Sequence, residues 1–207
     1  MKLPVSAKVN KVIPKTQFYN RVYVTKKLRD DFISKIQKIT WKYKIAEDTI
    51  NINKTENVEE IQVFYIELKE KVTSKNVLQT IDKLIPYPIL FVISFEDEIQ
   101  YAISLKENGI VKGYYFSEWN EKIDFVFTGV DLEKVYQKII KKFIKKTETE
   151  GRDFGDIIET DDKVNTLEKE ISRLECKIKN EKQFNKKVVL NKELNKKRKD
   201  LHNLKNK

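Results

Sequence analysis

The chain has 207 residues, enough for one domain with an appendage or for two small ones. Charged residues make up 36% of it, well above the roughly 25% of an ordinary domain, and the net charge of +10 points to an acidic partner surface, nucleic acid first, unless the lysine content only mirrors an AT-rich genome. One cysteine (Cys176) excludes an internal disulfide, one histidine (His202) excludes a Cys/His zinc cluster and a His-based triad in the core, and no apolar run reaches the roughly 18 residues of a membrane span.

MKLPVSAKVNK at the start lacks an apolar signal core, so the expected location is cytoplasmic. Leu3–Asn20, with Pro4 and Pro14, reads as an irregular arm. Val5, Val9, Val12, Ile13, Phe18 and Tyr19 give it enough apolar surface to pack on the body. Thr25 is a good N-cap. Leu28, Phe32, Ile36, Ile39 and Tyr43 recur on one stripe, which predicts a helix to about Tyr43. Ile50 and Ile52 alternate within Ala46–Lys54, a short predicted strand, and Asn53–Glu60 is a polar loop.

Ile61–Lys106 is the densest apolar stretch and the expected core. Ile61–Leu68 is apolar on both faces, as a strand buried on two sides would be. Val77, Leu78, Ile81, Leu84 and Ile85 have helical spacing, and Pro86 and Pro88 stop that helix. Ile89–Phe95 is a second strand, Glu96-Asp97-Glu98 a solvated turn, and Ile99–Leu105 a third strand. A helix between the first two strands predicts a right-handed parallel crossover. The short turn predicts an antiparallel hairpin.

Asn108-Gly109 is a turn signal. Val111–Trp119 reads as a strand whose Tyr114, Tyr115, Phe116 and Trp119 serve core packing or an interface rather than base stacking. Ile123–Phe127 is a further short strand. Asp131 caps a helix with Leu132, Val135, Tyr136, Ile139, Ile140, Phe143 and Ile144 on one side and lysines on the other. Thr147–Asp162 is polar and carries Gly151 and Gly155. The division is therefore a globular domain over 1–147, a linker over 148–160 and a helical segment over 161–207.

In that last segment Val164, Leu167, Ile171, Leu174 and Ile178 repeat at intervals of three and four, a coiled-coil seam. The register breaks near Glu181–Asn185. A second seam follows through Leu190, Leu194, Leu201 and Leu204, with Lys197 at the missing position. Two seams around a break predict a helical hairpin. A single stuttering helix, or pairing between chains, is the other arrangement. Leu167, Ile171, Leu174, Ile178, Leu190, Leu194 and Leu201 are the candidate partner-binding residues, for another protein or for self-association. Lys182, Lys186, Lys187, Lys192, Lys196, Lys197 and Arg198, continued by Lys199, are the strongest basic region. They are candidates for neutralising phosphates, with a plain solvated face as the alternative.

One constellation suggests chemistry. Glu67-Leu68-Lys69 on a strand, with Asp48 upstream, resembles the Mg²⁺ site of PD-(D/E)xK nucleases, in which two carboxylates hold the metal and the lysine positions water. The competing reading is a charged strand end in a chain rich in Glu and Lys. Outside that alternative no cofactor or metal is expected.

IPKTQFY near the start, IELKEK with VLQTIDKLIPYPILFVISF in the centre, and EKQFNKKVVLNKELNKK near the end resemble the bacterial family catalogued as domain of unknown function 4391. The resemblance covers essentially the whole chain. It implies a cellular setting, since members tend to be encoded near DNA methyltransferases and helicases of restriction or phage-defence type. It brings no catalytic residues. The expected fold is α+β or α/β: a mixed sheet of about five strands with two or three helices, then the helical hairpin or coiled coil. The expected function is a non-catalytic accessory subunit that docks on a helicase or DNA methyltransferase of the same operon, contacts DNA and has no membrane segment. The alternative is the Mg²⁺-dependent nuclease.

Overall fold

The computed structural model describes residues 3–20, 24–107 and 109–205. Asn108, half of the predicted turn, lies outside the described residues. Two units follow one another, Met1–Phe143 and Ile144–Lys207.

The first unit is built on a sheet of six strands, one more than expected, lying side by side in chain order. They are β1 (Lys8–Val12), β2 (Ile36–Ala46), β3 (Glu60–Leu68), β4 (Ile89–Phe95), β5 (Glu98–Glu107) and β6 (Ile110–Phe116). Only β3 and β4 run parallel, and the helix between them makes the crossover. The β4–β5 pair is the predicted hairpin. Two of the six were not expected as strands: β2, and β1, which lies inside the stretch expected to be an irregular arm. Strand β1 pairs with β2 as an exposed edge bearing Lys8 and Lys11, charges that discourage further strand addition.

Four α-helices accompany the sheet before the fifth closes it. They are α1 (Thr16–Tyr19), α2 (Lys26–Lys35), α3 (Glu47–Ile50) and α4 (Lys75–Leu84), followed by α5 (Leu132–Lys141). Thr25 caps α2, its Oγ1 accepting from the Leu28 N–H at 3.2 Å. Asp131 caps α5 in the same way through Lys134 at 2.7 Å. The helix expected to run to Tyr43 stops at Lys35, and Ile36–Ala46 is a strand instead. β-Branched and aromatic residues (Ile36, Ile39, Thr40, Trp41, Tyr43, Ile45) fit a pleated surface better than a helix. The strand expected over Ala46–Lys54 is likewise replaced by the α3 turn. There the Thr49 hydroxyl accepts from Ala46 N–H, and Asn51 takes a left-handed φ of 55°. The strand expected over Ile123–Phe127 does not form: the segment has no regular structure, though Phe125 and Phe127 are buried and Val126 is exposed.

Phe64, Ile66 and Leu68 of β3 and Phe91 and Ile93 of β4 meet Val77, Leu78 and Ile81 of α4, together with Phe18 and Phe32, in one core layer. Alternate residues such as Ile61 and Val63 are also buried and turn to the opposite face. Helix α5 packs there against β3, and Phe125 stacks edge-on with Tyr101 of β5. Both faces of the parallel pair are thus covered, as its continuous apolar runs require.

The second unit consists mainly of α6 (Phe154–Asn180) and α7 (Phe184–Lys205). Helix α6 starts inside the stretch expected to be linker. Asp153 caps it, and Ile157 and Val164 already contribute buried surface. The chain turns at residues 181–183 without glycine or proline. Extended Glu181 accepts the Gln183 N–H on its own carboxylate at 2.8 Å. The two helices pack on each other as a hairpin.

Candidate functional site

The three residues of the nuclease alternative are not brought together. Lys38 lies opposite Glu67 on β2, and Ala46 lies opposite Glu60. Asp48 belongs to the second end: Lys44 bridges it and Glu60, each at 3.2 Å. Seven residue steps along β3 lead from Glu60 to Glu67, on the order of 23 Å. No shared metal spans that gap. Glu67 pairs with Lys38 at 3.4 Å, so a cation stands where a metal site needs a second carboxylate. Lys69 donates to the Ile33 carbonyl at 2.9 Å. Among the described residues no group of three His, Cys, Asp or Glu is placed to hold a metal ion.

Most strongly built of the polar clusters is one the sequence reading did not single out. Asp82 at the end of α4 and Lys106 at the end of β5 form an ion pair at 3.0 Å, with both side chains almost fully buried. Ser104 donates to Asp82 Oδ1 at 3.1 Å, and the Tyr114 hydroxyl donates to Oδ2. Lys106 Nζ also donates to the carbonyls of Asp82, Ile85 and Tyr87 at 3.2, 2.6 and 2.9 Å. The Asp82 carbonyl also accepts the Ile85 N–H at 3.4 Å, while Ile85 and Tyr87 lie just past the last residue of α4, at the proline-rich turn. Tyr136 of α5 ties in the strand itself, accepting from Lys106 N–H and donating to the Ser104 carbonyl. Loss of hydration pushes the Asp82 carboxyl up and the Lys106 ammonium down, and the opposite charge beside each works against that shift. Loss of hydration and the adjacent Asp82 charge both push the Tyr114 hydroxyl up, keeping it a donor. Every member is satisfied, so the cluster clamps α4 to the sheet and has no group left for a substrate. The signal was an acid on the apolar stripe of a helix, four residues after Leu78, and a lysine in phase with Ala102 and Ser104.

The basic residues sort into two groups. Lys197 pairs with Glu170 at 2.8 Å, Arg198 with Glu175 at 2.7 Å and Lys205 with Glu168 at 3.0 Å, all across the hairpin. Helix α7 carries eight lysines and arginines against two acids, while α6 carries five against seven. The helices therefore attract each other along the seam. Lys192, Lys196 and Lys199 lie at i, i+4 and i+7 on the side of α7 away from Leu190, Leu194 and Leu201. They are exposed, and none forms an ion pair among the described residues; the same holds for Lys182, Lys186 and Lys187 near the turn. Of the seam, Leu174 and Leu194 are buried, and Leu167, Ile171, Ile178, Leu190 and Leu201 are half-buried. Phe184 and Val189 stand exposed beside the turn, as does Cys176 on α6.

No helix of the described residues is long and apolar enough to cross a membrane. A family model described as Domain of unknown function (DUF4391) matches residues 1–201. Neither the curated proteins nor the solved structures hold a significant match.

Proposed function

We propose, from the premise that the chain belongs to the family of domain of unknown function DUF4391, that it is a non-catalytic interaction subunit of a bacterial DNA-targeting defence complex. In this reading the sheet unit docks on a larger partner, a helicase or DNA methyltransferase of the same operon, and the hairpin touches nucleic acid through α7. The observation that carries the nucleic-acid contact is the division of charge on α7. Lys197, Arg198 and Lys205 hold the hairpin together, while Lys192, Lys196 and Lys199 form an outward stripe without ion-pair partners. Such a stripe exchanges condensed counterions for phosphates and reads no sequence. The defence setting and the partner class rest on the family resemblance.

Fluorescence anisotropy with a 20-base-pair duplex and a matching single strand, from 50 to 300 mM salt, tests the contact. The full chain is expected to bind with a steep salt dependence. The triple substitution Lys192→Gln, Lys196→Gln, Lys199→Gln is expected to weaken binding at least tenfold at low salt and to flatten the log–log salt slope by about 2 to 3, at roughly 0.9 per phosphate contact. An unchanged slope, or no binding by the native chain, overturns the nucleic-acid role. Co-purification from the native operon tests the partner, and a chain recovered alone overturns the accessory reading.

A further inference from the structure

The outward lysines of α7 belong to a longer row. Counting back from Lys196 and Lys192 in steps of four leads to Val188 and then to Phe184, so the row runs out at the turn of the hairpin in two apolar side chains. Phe184 is 77% exposed and Val188 38%. Every residue from Lys182 to Val189 is exposed. A ring this open adds nothing to the core and holds apolar surface in water, an unfavourable arrangement that a bound partner would relieve.

The charge around the ring selects the partner. Between residues 182 and 192 the charged side chains are Lys182, Lys186, Lys187 and Lys192, with no acid among them. Glu181 and Glu193 flank the stretch, and the Glu181 carboxylate is turned to the backbone, accepting the Gln183 N–H at 2.8 Å. A second copy of this surface would set lysine against lysine. The complementary occupant is an anion that also offers flat apolar faces. A nucleic-acid strand with unpaired bases has both: phosphates for the lysines and a π-face on every base for the ring. In a fully paired duplex the bases are already stacked on one another, and only the phosphates are offered along its length. The spacing fits such a strand. At 1.5 Å per residue, Lys192 to Lys199 covers about 10 Å of α7, the axial length of about three phosphates of one strand, and Phe184 lies about 12 Å beyond Lys192.

We infer that the tip of α7 takes an unpaired base, stacked on Phe184, from a strand whose phosphates lie on the row Lys192, Lys196 and Lys199. This rests on the nucleic-acid reading above and names the form of nucleic acid that α7 prefers: one with unpaired bases beside the held phosphates, as in a single-stranded overhang.

Anisotropy with the full chain at 50 mM salt compares a blunt 20-base-pair duplex with the same duplex carrying a six-nucleotide overhang, on the 3′ side in one probe and on the 5′ side in another. At least one overhang probe is expected to bind about fivefold or more tightly than the blunt duplex, the lower end of what one stacked base contributes. Phe184→Ala is expected to remove that advantage and to leave blunt-duplex binding unchanged, while Phe184→Trp keeps the advantage. The side chain is mostly exposed, so both variants are expected to fold, with native circular dichroism at 222 nm. Equal binding of blunt and overhang probes overturns the inference, leaves the nucleic-acid reading standing and assigns Phe184 and Val188 to a protein partner. A preference that survives Phe184→Ala, or a loss shared equally by blunt and overhang probes, also overturns it. Failure of every probe to bind overturns the inference and the nucleic-acid reading together.

Discussion

Lys106 does two jobs with one ammonium group, and they can be separated. It neutralises Asp82, and it donates to the Ile85 and Tyr87 carbonyls just past the end of α4. Removing one partner of a buried pair strands the other charge, at about 3–5 kcal/mol. Lys106→Met is therefore expected to destabilise the chain by at least about 3 kcal/mol, read from the midpoint and slope of urea unfolding. An isolated pair replaced by apolar residues often costs nothing. Here the double substitution Asp82→Leu, Lys106→Met still leaves the Ile85 and Tyr87 carbonyls without donors, at about 1–3 kcal/mol each. The double variant is expected to remain about 2 kcal/mol or more below the native chain. Full recovery would show that Lys106 acts on Asp82 alone and that water serves the helix end.

At the scale of the element, Glu168 is the hub of the hairpin's polar side. Burial tends to raise its carboxyl pKa, but hydrogen bonds from Lys146 and Lys205 outweigh this and hold it below the ordinary value. A carboxylate depressed in the folded state contributes stability that is fully present above its unfolded value, about 4.3, and is lost as pH falls through the folded one. Glu168→Gln is thus expected to lower the hairpin's melting temperature at pH 7, with a smaller difference from the native chain at pH 3. The difference is less than about 1 kcal/mol, because the three side chains are partly exposed. Circular dichroism at 222 nm during heating measures it, and an equal loss at both pH values refutes the assignment. On the apolar side, Leu194→Ala removes one of the few fully buried seam residues and is expected to cost about 2–3 kcal/mol by the same measurement.

The elements differ in how legible they were. The interval of three and four in Val164–Ile178 marks a helix with an apolar seam, as in α6, whereas pairing with α7 of the same chain was one of the arrangements it left open. Strand β2 was not legible, because its ladder shifts register between Ile36 and Lys38 and again between Trp41 and Tyr43. Each bulge breaks the two-residue alternation. Buried Ile36 and Ile39 then follow Phe32 at intervals of four and three, which imitates a helix continuing from Phe32. The candidate sites split the same way. A basic α7 is readable from composition. That Lys197 and Arg198 are engaged and Lys192, Lys196 and Lys199 are not depends on the register of α7 against α6, which is a three-dimensional fact. Asp48, Glu67 and Lys69 fit a motif in one dimension and fail it in three, since one strand keeps its two ends apart.

For the whole molecule, net charge alone does not locate a nucleic-acid surface. Residues 1–143 hold 24 lysines and arginines against 19 acids and residues 144–207 hold 18 against 13, so each unit carries half of the total +10. The difference lies in arrangement. In the sheet unit many cations are matched locally, as Lys35 is by Asp31, Lys44 by Glu60 and Lys71 by Glu98, whereas the hairpin gathers unmatched ones on one helical face. Binding should therefore segregate with the second unit. The fragment 1–143 has its own two-sided core and is expected to fold, with cooperative unfolding and no duplex binding at 100 mM salt. The fragment 144–207 buries few large side chains, chiefly Ile157, Val164, Leu174 and Leu194. A core that thin is marginal at this length, so a lower melting temperature than in the full chain is expected, together with retained duplex binding at temperatures where it is helical. The same anisotropy titration on both fragments decides the matter. Binding confined to 1–143 would move the contact to the sheet unit and leave the α7 stripe as a solvated face. Binding confined to 144–207 would leave the sheet unit free for a protein partner, as the proposed division of labour requires.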